Sequence, residues 1–224
     1  MKPQTTATPG RGFTLIELLV VVTIIALLAA LGFLAMQFAT NKSREKDTVT
    51  LIQNVTRCIE EYKDDHGAYP RPAEDKATTV VSNETYVVGG AKMLYQVLSG
   101  DGTDQIRNGE KVSTGEQGSA ADEKDPLMGK IYMDSIRAPT EKMRKEKKLE
   151  KYVDAGEGDT FFVVDPWRHP LRYQVPEKDK NGMPKNNLEF HSGSAFELWS
   201  YGTLKKPAEE DEDKKKWITS WGQK

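Results

Sequence analysis

From Phe13 to Met36 nearly every residue is apolar, and after Gln37 the chain turns polar and charged. No fold can ignore that boundary. As a helix, a run of ~24 residues spans ~36 Å, enough to cross a bilayer core with some tilt. A secretory signal peptide has an apolar centre of only ~7–15 residues, followed by a small-x-small cleavage site. Here Met36, Gln37 and Phe38 stand where such a site belongs. The run therefore reads as a retained anchor, and the remainder of the 224 residues as one soluble domain. By itself this pattern fits a signal-anchor helix carrying any extracytoplasmic domain.

Two features narrow the reading. Glu17 lies four residues into the apolar run, after a hydrophilic leader whose only charges are Lys2 and Arg11. A lone carboxylate in hydrocarbon costs about 3 kcal/mol on insertion scales, which makes it a functional candidate. A helix N-terminus offsets part of that cost without explaining the residue. The second feature is the junction itself. Gly12-Phe13-Thr14-Leu15-Ile16-Glu17-Leu18-Leu19-Val20-Val21 resembles the prepilin cleavage and methylation motif of type IV pilins and type II secretion pseudopilins. The resemblance implies cleavage by a prepilin peptidase between Gly12 and Phe13 and N-methylation of Phe13. It makes Glu17 an assembly residue: a buried carboxylate needs a cation, and the new ammonium group of a neighbouring subunit's Phe13 would supply one. The leader's charges agree with a cytoplasmic start, but Lys42, Arg44 and Lys46 follow the run, so orientation rests mainly on the motif.

Beyond Asn41 the pattern becomes amphipathic. Val49, Ile52, Val55, Ile59 and Tyr62 recur at spacings of three and four, flanked by Leu51 and Cys58. That is one apolar stripe on a helix. A continuous helix is expected from about Phe13 to about Asp65, ended by Gly67 with Pro70 beyond it. Tyr62-Lys63-Asp64-Asp65-His66-Gly67-Ala68-Tyr69-Pro70 resembles the helix exit of the major pseudopilins.

The last third reads as strands at Thr160–Val164, Leu171–Val175 and Ala195–Tyr201, with a polar loop from Glu177 to Asn187. Pro166 and Pro170 stiffen a corner between the first two. Asp165-Pro166-Trp167-Arg168-His169-Pro170-Leu171-Arg172-Tyr173 and Ser200-Tyr201-Gly202 resemble the corner and the strand end of the same pseudopilins. Trp167, Trp199 and Cys58 read as packing residues.

The fold class expected is α+β and pilin-like: a long N-terminal helix, transmembrane then amphipathic, packed on a small antiparallel sheet. Its divisions are a leader (1–12), a transmembrane half-helix (13–38), an amphipathic half-helix (39–66) and a periplasmic domain (67–224). Within that domain, about 71–164 matches no pattern. Ala91, Leu94, Tyr95 and Leu98 suggest a short helix there, and Gly100 to Lys130 reads as loop. Glu141 to Lys151 carries six basic and three acidic side chains and reads as a solvated helix, with contact to an anionic surface as the alternative.

In the resembled family the loop after Ser-Tyr-Gly wraps a calcium ion. Here Pro207, the acidic run Glu209 to Asp213 and Trp221 are in place, with Asp211 and Asp213 the implied ligands. The sequence departs from the family where Leu204 replaces the expected acid and Lys214, Lys215 and Lys216 follow the acidic run.

Several classes are disfavoured. A net charge of -2 gives no basic excess for nucleic acid. Cys58, the one cysteine, permits neither an intramolecular disulfide nor a thiolate metal framework. His66, His169 and His191 stand in no triad or metal-ligand spacing, and no glycine-rich phosphate loop occurs. The chain is expected to be a non-enzymatic, homo-oligomeric filament subunit rooted in the bacterial inner membrane. Its partners would be a prepilin peptidase and an inner-membrane secretion platform. A pseudopilus of type II secretion leads this reading. A type IV pilin for adhesion, motility or DNA uptake, a minor pseudopilin, and a signal-anchored periplasmic enzyme stand behind it. Pilins commonly carry a C-terminal disulfide loop, which a single cysteine cannot form.

Overall fold

The computed structural model of the chain describes residues 13–72, 76–81, 83–100, 111–112, 130–146, 148–156, 160–177, 179–181, 183, 185, 193–204 and 216–221. Its first element, α1 (Leu15–His66), is a single helix of 52 residues. Both ends fall within two residues of the expected ones. Proline is absent from it, and Gly32 is its one glycine, so nothing in the sequence breaks the ladder of hydrogen bonds. The chain divides into two compact units between Ser43 and Arg44, and α1 contributes to both.

In the first unit every large apolar side chain from Phe13 to Phe38 is exposed, the least of them, Val21, at 44%. The helix is long and apolar enough to cross a membrane. Apolar surface on this scale marks a site for lipid or for other proteins.

In the second unit α1 buries a one-sided stripe: Thr48, Leu51, Ile52, Val55, Cys58, Ile59 and Tyr62. The expected stripe is corrected at one position. Val49 is 42% exposed, while Leu51 and Cys58 belong to the stripe itself. At about 100° per residue, the buried positions lie within roughly 60° of Val55, whereas Val49 lies about 120° away. Thr48 falls near the centre of the stripe. Its hydroxyl is satisfied by donating to the Arg44 carbonyl at 2.7 Å.

The stripe packs into one core with α2 (Gly89–Leu98) and with side chains from several short strands. The strands of this unit are β1 (Arg71–Pro72), β2 (Thr78–Val81), β3 (Glu84–Val87), β4 (Lys111–Val112), β5 (Val153–Ala155), β6 (Phe161–Val163), β7 (Arg172–Gln174), β8 (Glu197–Ser200) and β9 (Ile218–Thr219), of which β5 to β9 supply the core side chains. A five-residue helix, α3 (Glu141–Lys145), lies between β4 and β5. Three expected strands appear, slightly trimmed, as β6, β7 and β8. The expected single antiparallel sheet is divided. Antiparallel pairs β2–β3 and β5–β6 accompany a three-stranded antiparallel sheet β7–β8–β9, and β1 pairs with β4 in parallel. The prolines account for one division: Pro170 has no N–H to continue a ladder, and only a bridge from Val164 to Pro170 and a bond from Leu171 N–H to the Val163 carbonyl link β6 to β7.

The stretch without a sequence assignment, 71–164, supplies much of this core. Met93, Leu94, Tyr95 and Leu98 of α2 are fully buried. Gly90 allows that packing: a Cβ there would stand 2.6 Å from the Tyr173 carbonyl oxygen on β7. The reading of 100–130 as loop needs one correction, since β4 forms within it. The expected helix over 141–151 is also shorter. It stops at Lys145, because Leu149 and Tyr152 turn to pack against the core.

Candidate functional site

Two places concentrate the residues singled out above. The first is the start of α1. Thr14 precedes the first helical residue, and Glu17 is the third residue inside. The Thr14 N–H and hydroxyl both donate to Glu17 Oε2, at 2.9 and 2.7 Å, and the Glu17 N–H donates back to Thr14 Oγ1 at 3.3 Å. This is a capping box: side chain and backbone at the two positions satisfy each other's orphan groups at a helix N-terminus. The box was not among the expected features, although its signal, Thr-x-x-Glu ahead of an apolar run, stands in the sequence. The carboxylate is thus held by its own chain at the head of an exposed apolar helix, beside a shallow concavity lined by Phe13, Ile16, Val20 and Val21. Gly12, the expected partner in cleavage, lies outside the described residues.

The second place is the corner after β6. Asp165 is fully buried. Its Oδ1 accepts from the N–H groups of Trp167 and His169 at 2.8 and 2.9 Å, and its Oδ2 accepts from the Ser200 hydroxyl at 2.6 Å. Ser200 Oγ in turn accepts from the Gly202 N–H at 2.9 Å. Two motifs read separately in the sequence, at 165–173 and 200–202, are therefore one hydrogen-bonded joint. Spacing alone gave no signal of that connection. Burial pushes the Asp165 carboxyl above its ordinary range, while the Ser200 hydrogen bond and nearby His169 pull the other way. Burial and the Asp165 charge together push the Tyr86 phenol up to about 12. Arg168 holds the turn at φ 71° and pairs with Asp154 at 2.9 Å.

Serine, aspartate and histidine meet here, but not as a catalytic triad. In a triad the serine donates to histidine and the aspartate orients the far side of that ring. Here Ser200 donates directly to Asp165, it is fully buried, and His169 Nδ1 stands 3.7 Å from the same carboxylate oxygen. The joint fixes a loop and presents no nucleophile. His66 stacks on Tyr62 at 4.1 Å, and His191 lies outside the described residues. Trp199 packs at 5.8 Å on Trp217, with Leu204 and Trp221 beside them, and Trp167 is partly buried against the main core. Cys58 is buried with its thiol donating to the Tyr132 carbonyl at 3.0 Å, and burial raises its pKa, as suits a packing residue.

Asp211 and Asp213, the implied calcium ligands, lie outside the described residues. Among the described residues no three His, Cys, Asp or Glu side chains converge as a metal site. The apolar side chain of Leu204, where the resemblance calls for an acid, is spent on packing. The residues implied to hold the ion thus lie outside what the structure describes.

Comparison with known proteins bears on the first place. Residues 10–33, which include Phe13, Thr14 and Glu17, match the prokaryotic N-terminal methylation motif. A fimbrial protein, EcpC, of Eikenella corrodens is 31% identical over 105 residues, covering 47% of this chain and 65% of its own length. The type IV major pilin protein PilE1 of Neisseria gonorrhoeae is 30% identical over 98 residues, covering 44% of each chain. The chain is similar to type IV pilin and fimbrial proteins and carries the N-terminal methylation motif. A fimbrial protein of Neisseria meningitidis serogroup B is 35% identical over 109 residues, 46% of this chain and 64% of its own. The pilin-like chain thus spans less than two thirds of the length of these relatives. They are fimbrial and pilin proteins by name, neither enzymes nor pseudopilins. No solved structure matches the chain. The α+β pilin-like fold expected from sequence is the one found: a long apolar-then-amphipathic helix followed by small, mostly antiparallel sheets.

Proposed function

We propose that this chain is the structural subunit of a filament rooted in the inner membrane, cleaved between Gly12 and Phe13, with its C-terminal domain in the periplasm. The observation that carries the reading is α1 up to Met36. It is apolar on all sides, exposed throughout, and begins with a single capped carboxylate inside a methylation motif. A helix apolar all round is surrounded when it functions, by lipid before assembly and by other copies afterwards. In either setting Glu17 must keep a partner. Thr14 serves in the lone chain. In the filament the ammonium group of a neighbour's Phe13 completes the neutralisation and fixes axial register.

The subtype we favour is the pseudopilus of type II secretion, whose filament would grow from an inner-membrane platform and push cargo outward. The joint between Asp165 and Ser200, built from motifs that resemble pseudopilins, and the single cysteine support it. The fimbrial and pilin relatives favour the second reading, a type IV pilus subunit.

The deciding experiment is intact mass and N-terminal sequencing of the chain expressed with and without a prepilin peptidase. A product beginning at methylated Phe13 is expected. A chain uncut in peptidase-positive cells returns the protein to a plain signal-anchored one. Glu17→Ala should abolish polymerisation while membrane insertion persists, and gene deletion should stop secretion rather than surface piliation.

A further inference from the structure

Basic side chains are gathered next to the end of the apolar run. Leu18 to Phe38 is 21 residues, or ~31 Å of helix, against a hydrocarbon core of ~30 Å. Arg44 and Lys46 follow Phe38 along the same helix by six and eight residues, about 9 and 12 Å at helical rise. The headgroup layer itself is about 5–8 Å deep, and charges reach about 8 Å further through physiological salt.

Within the second unit, a second basic segment is tied to the same stretch of α1. Lys151 Nζ pairs with Asp47 Oδ2 at 2.8 Å, 104 residues apart in sequence, and Leu149 and Tyr152 anchor the same stretch to the core. Lys142, Lys145 and Lys148, on α3 and just after it, are exposed. Lys142 and Lys145 are engaged with acids of the same short segment, Glu146 at 4.0 Å and Glu141 at 2.7 Å. Such exposed pairs hold weakly and leave the net charge positive. Residues 42–47 and 141–151 together carry nine basic and five acidic side chains, in a chain whose net charge is -2. The excess is therefore local, and the Lys151–Asp47 pair ties its two segments together.

We propose that Arg44, Lys46 and the lysines at 142, 145, 148 and 151 form a surface that docks on anionic phospholipid headgroups of the bilayer α1 enters. Lysine stems lie along apolar surface while their ammonium groups reach phosphates, and each adds attraction that salt removes. The surface would hold the soluble domain against the membrane while the subunit waits to be assembled, and assembly would have to release it. This inference rests on the membrane-anchored reading above and adds the lipid class that the anchored domain meets.

The test uses the full chain in lipid nanodiscs, which leave both faces open to reagent. One set is phosphatidylcholine alone, and the other contains about one third phosphatidylglycerol. A neutral acetylating reagent is applied, and the rate at each lysine is read by peptide mass. Lys142, Lys145 and Lys148 should react about threefold or more slowly in the anionic discs, while Lys180 reacts equally in both. The difference should vanish near 1 M salt, where the screening length is about 3 Å, and in Lys145→Glu/Lys148→Glu. Equal rates in the two lipids overturn the proposal. So does slowing that follows the number of chains per disc regardless of lipid, which would assign the surface to a second copy. A chain that does not incorporate into either disc overturns the membrane reading and this inference with it.

Discussion

The two halves of α1 are one helix with two kinds of surface. From Leu15 to Met36 it is apolar on nearly every side, and its side chains are exposed up to Ser43; from Arg44 to His66 it buries seven residues on one face. The contrast shows that apolar content and apolar periodicity carry different information. A one-sided stripe names a partner on one side, which here is the chain's own core. An all-round surface names surroundings, which a single chain cannot supply. A matched pair of truncations tests the contrast most severely. Ile59→Ala, in the stripe and fully buried, should destabilise the domain by about 3–4 kcal/mol. Leu28→Ala, 62% exposed, should change domain stability by less than about 0.5 kcal/mol. Urea unfolding of the full chain in detergent, followed by tryptophan fluorescence, reads both. Comparable losses from the two changes would dissolve the distinction.

The next largest effect lies in the second unit. Asp165→Ala leaves the N–H groups of Trp167 and His169 and the Ser200 hydroxyl without their acceptor, and should cost about 3 kcal/mol. Asp165→Asn keeps an acceptor for the two N–H groups, and Ser200 can turn its lone pair toward the new amide. Its cost should be less than half as large. Far-ultraviolet circular dichroism should show most helix surviving in the alanine variant at temperatures where tryptophan fluorescence reports an unfolded domain. If helix and fluorescence were lost together, the two halves of α1 would be one cooperative structure.

Much of this was legible in the sequence because its physics is local. The apolar run, the lone carboxylate at Glu17 and the Gly67 stop each act within a turn or two of helix. The stripe was legible to within one position, and its errors have a cause. Val49 was included for being apolar, and Thr48 was passed over for being polar, although the angle around the helix favours Thr48. The joint between Asp165 and Ser200 could not be read, because it depends on two positions 35 apart in sequence returning to one point. The pairing of Lys151 with Asp47 was hidden for the same reason. Among the strands, β6, β7 and β8 were marked by aromatic and β-branched residues. Two-residue strands such as β1, β4 and β9 are too short to show any period.

Acid titration sharpens the comparison at the exit of α1. Asp65 accepts from Lys130 and from the Tyr132 hydroxyl, and those bonds hold its carboxyl below the ordinary range. A carboxyl with a depressed folded pKa contributes stability above its unfolded value, and that contribution is lost as pH falls through the folded one. The advantage of the native chain over Asp65→Asn should therefore hold at neutral pH and shrink below about pH 4. Asp165 acts in the opposite sense: its raised carboxyl favours the folded state at low pH, and that contribution is lost as pH rises through the folded pKa. Melts of the two asparagine variants across pH 3–7, a range spanning roughly the carboxylate titration, should give difference curves of opposite slope. Parallel curves would show that the two sites do not titrate as their surroundings require.

The smallest effect belongs to the residue that ends the amphipathic half. Gly67 adopts φ 76°, and its N–H donates to the Lys63 carbonyl at 2.7 Å, closing the last turn. A Cβ placed there would meet nothing within 4 Å, so Gly67→Ala carries no steric clash. What remains is the cost of holding an alanine in the left-handed region, about 1 kcal/mol. Asparagine tolerates that region better, so Gly67→Asn should recover part of the loss. Unfolding of the three chains in the same detergent should rank them glycine, asparagine, alanine. A loss of several kcal/mol in the alanine variant would mean that the exit carries a packing role beyond the turn itself. The one-sided half of α1 would then extend past His66.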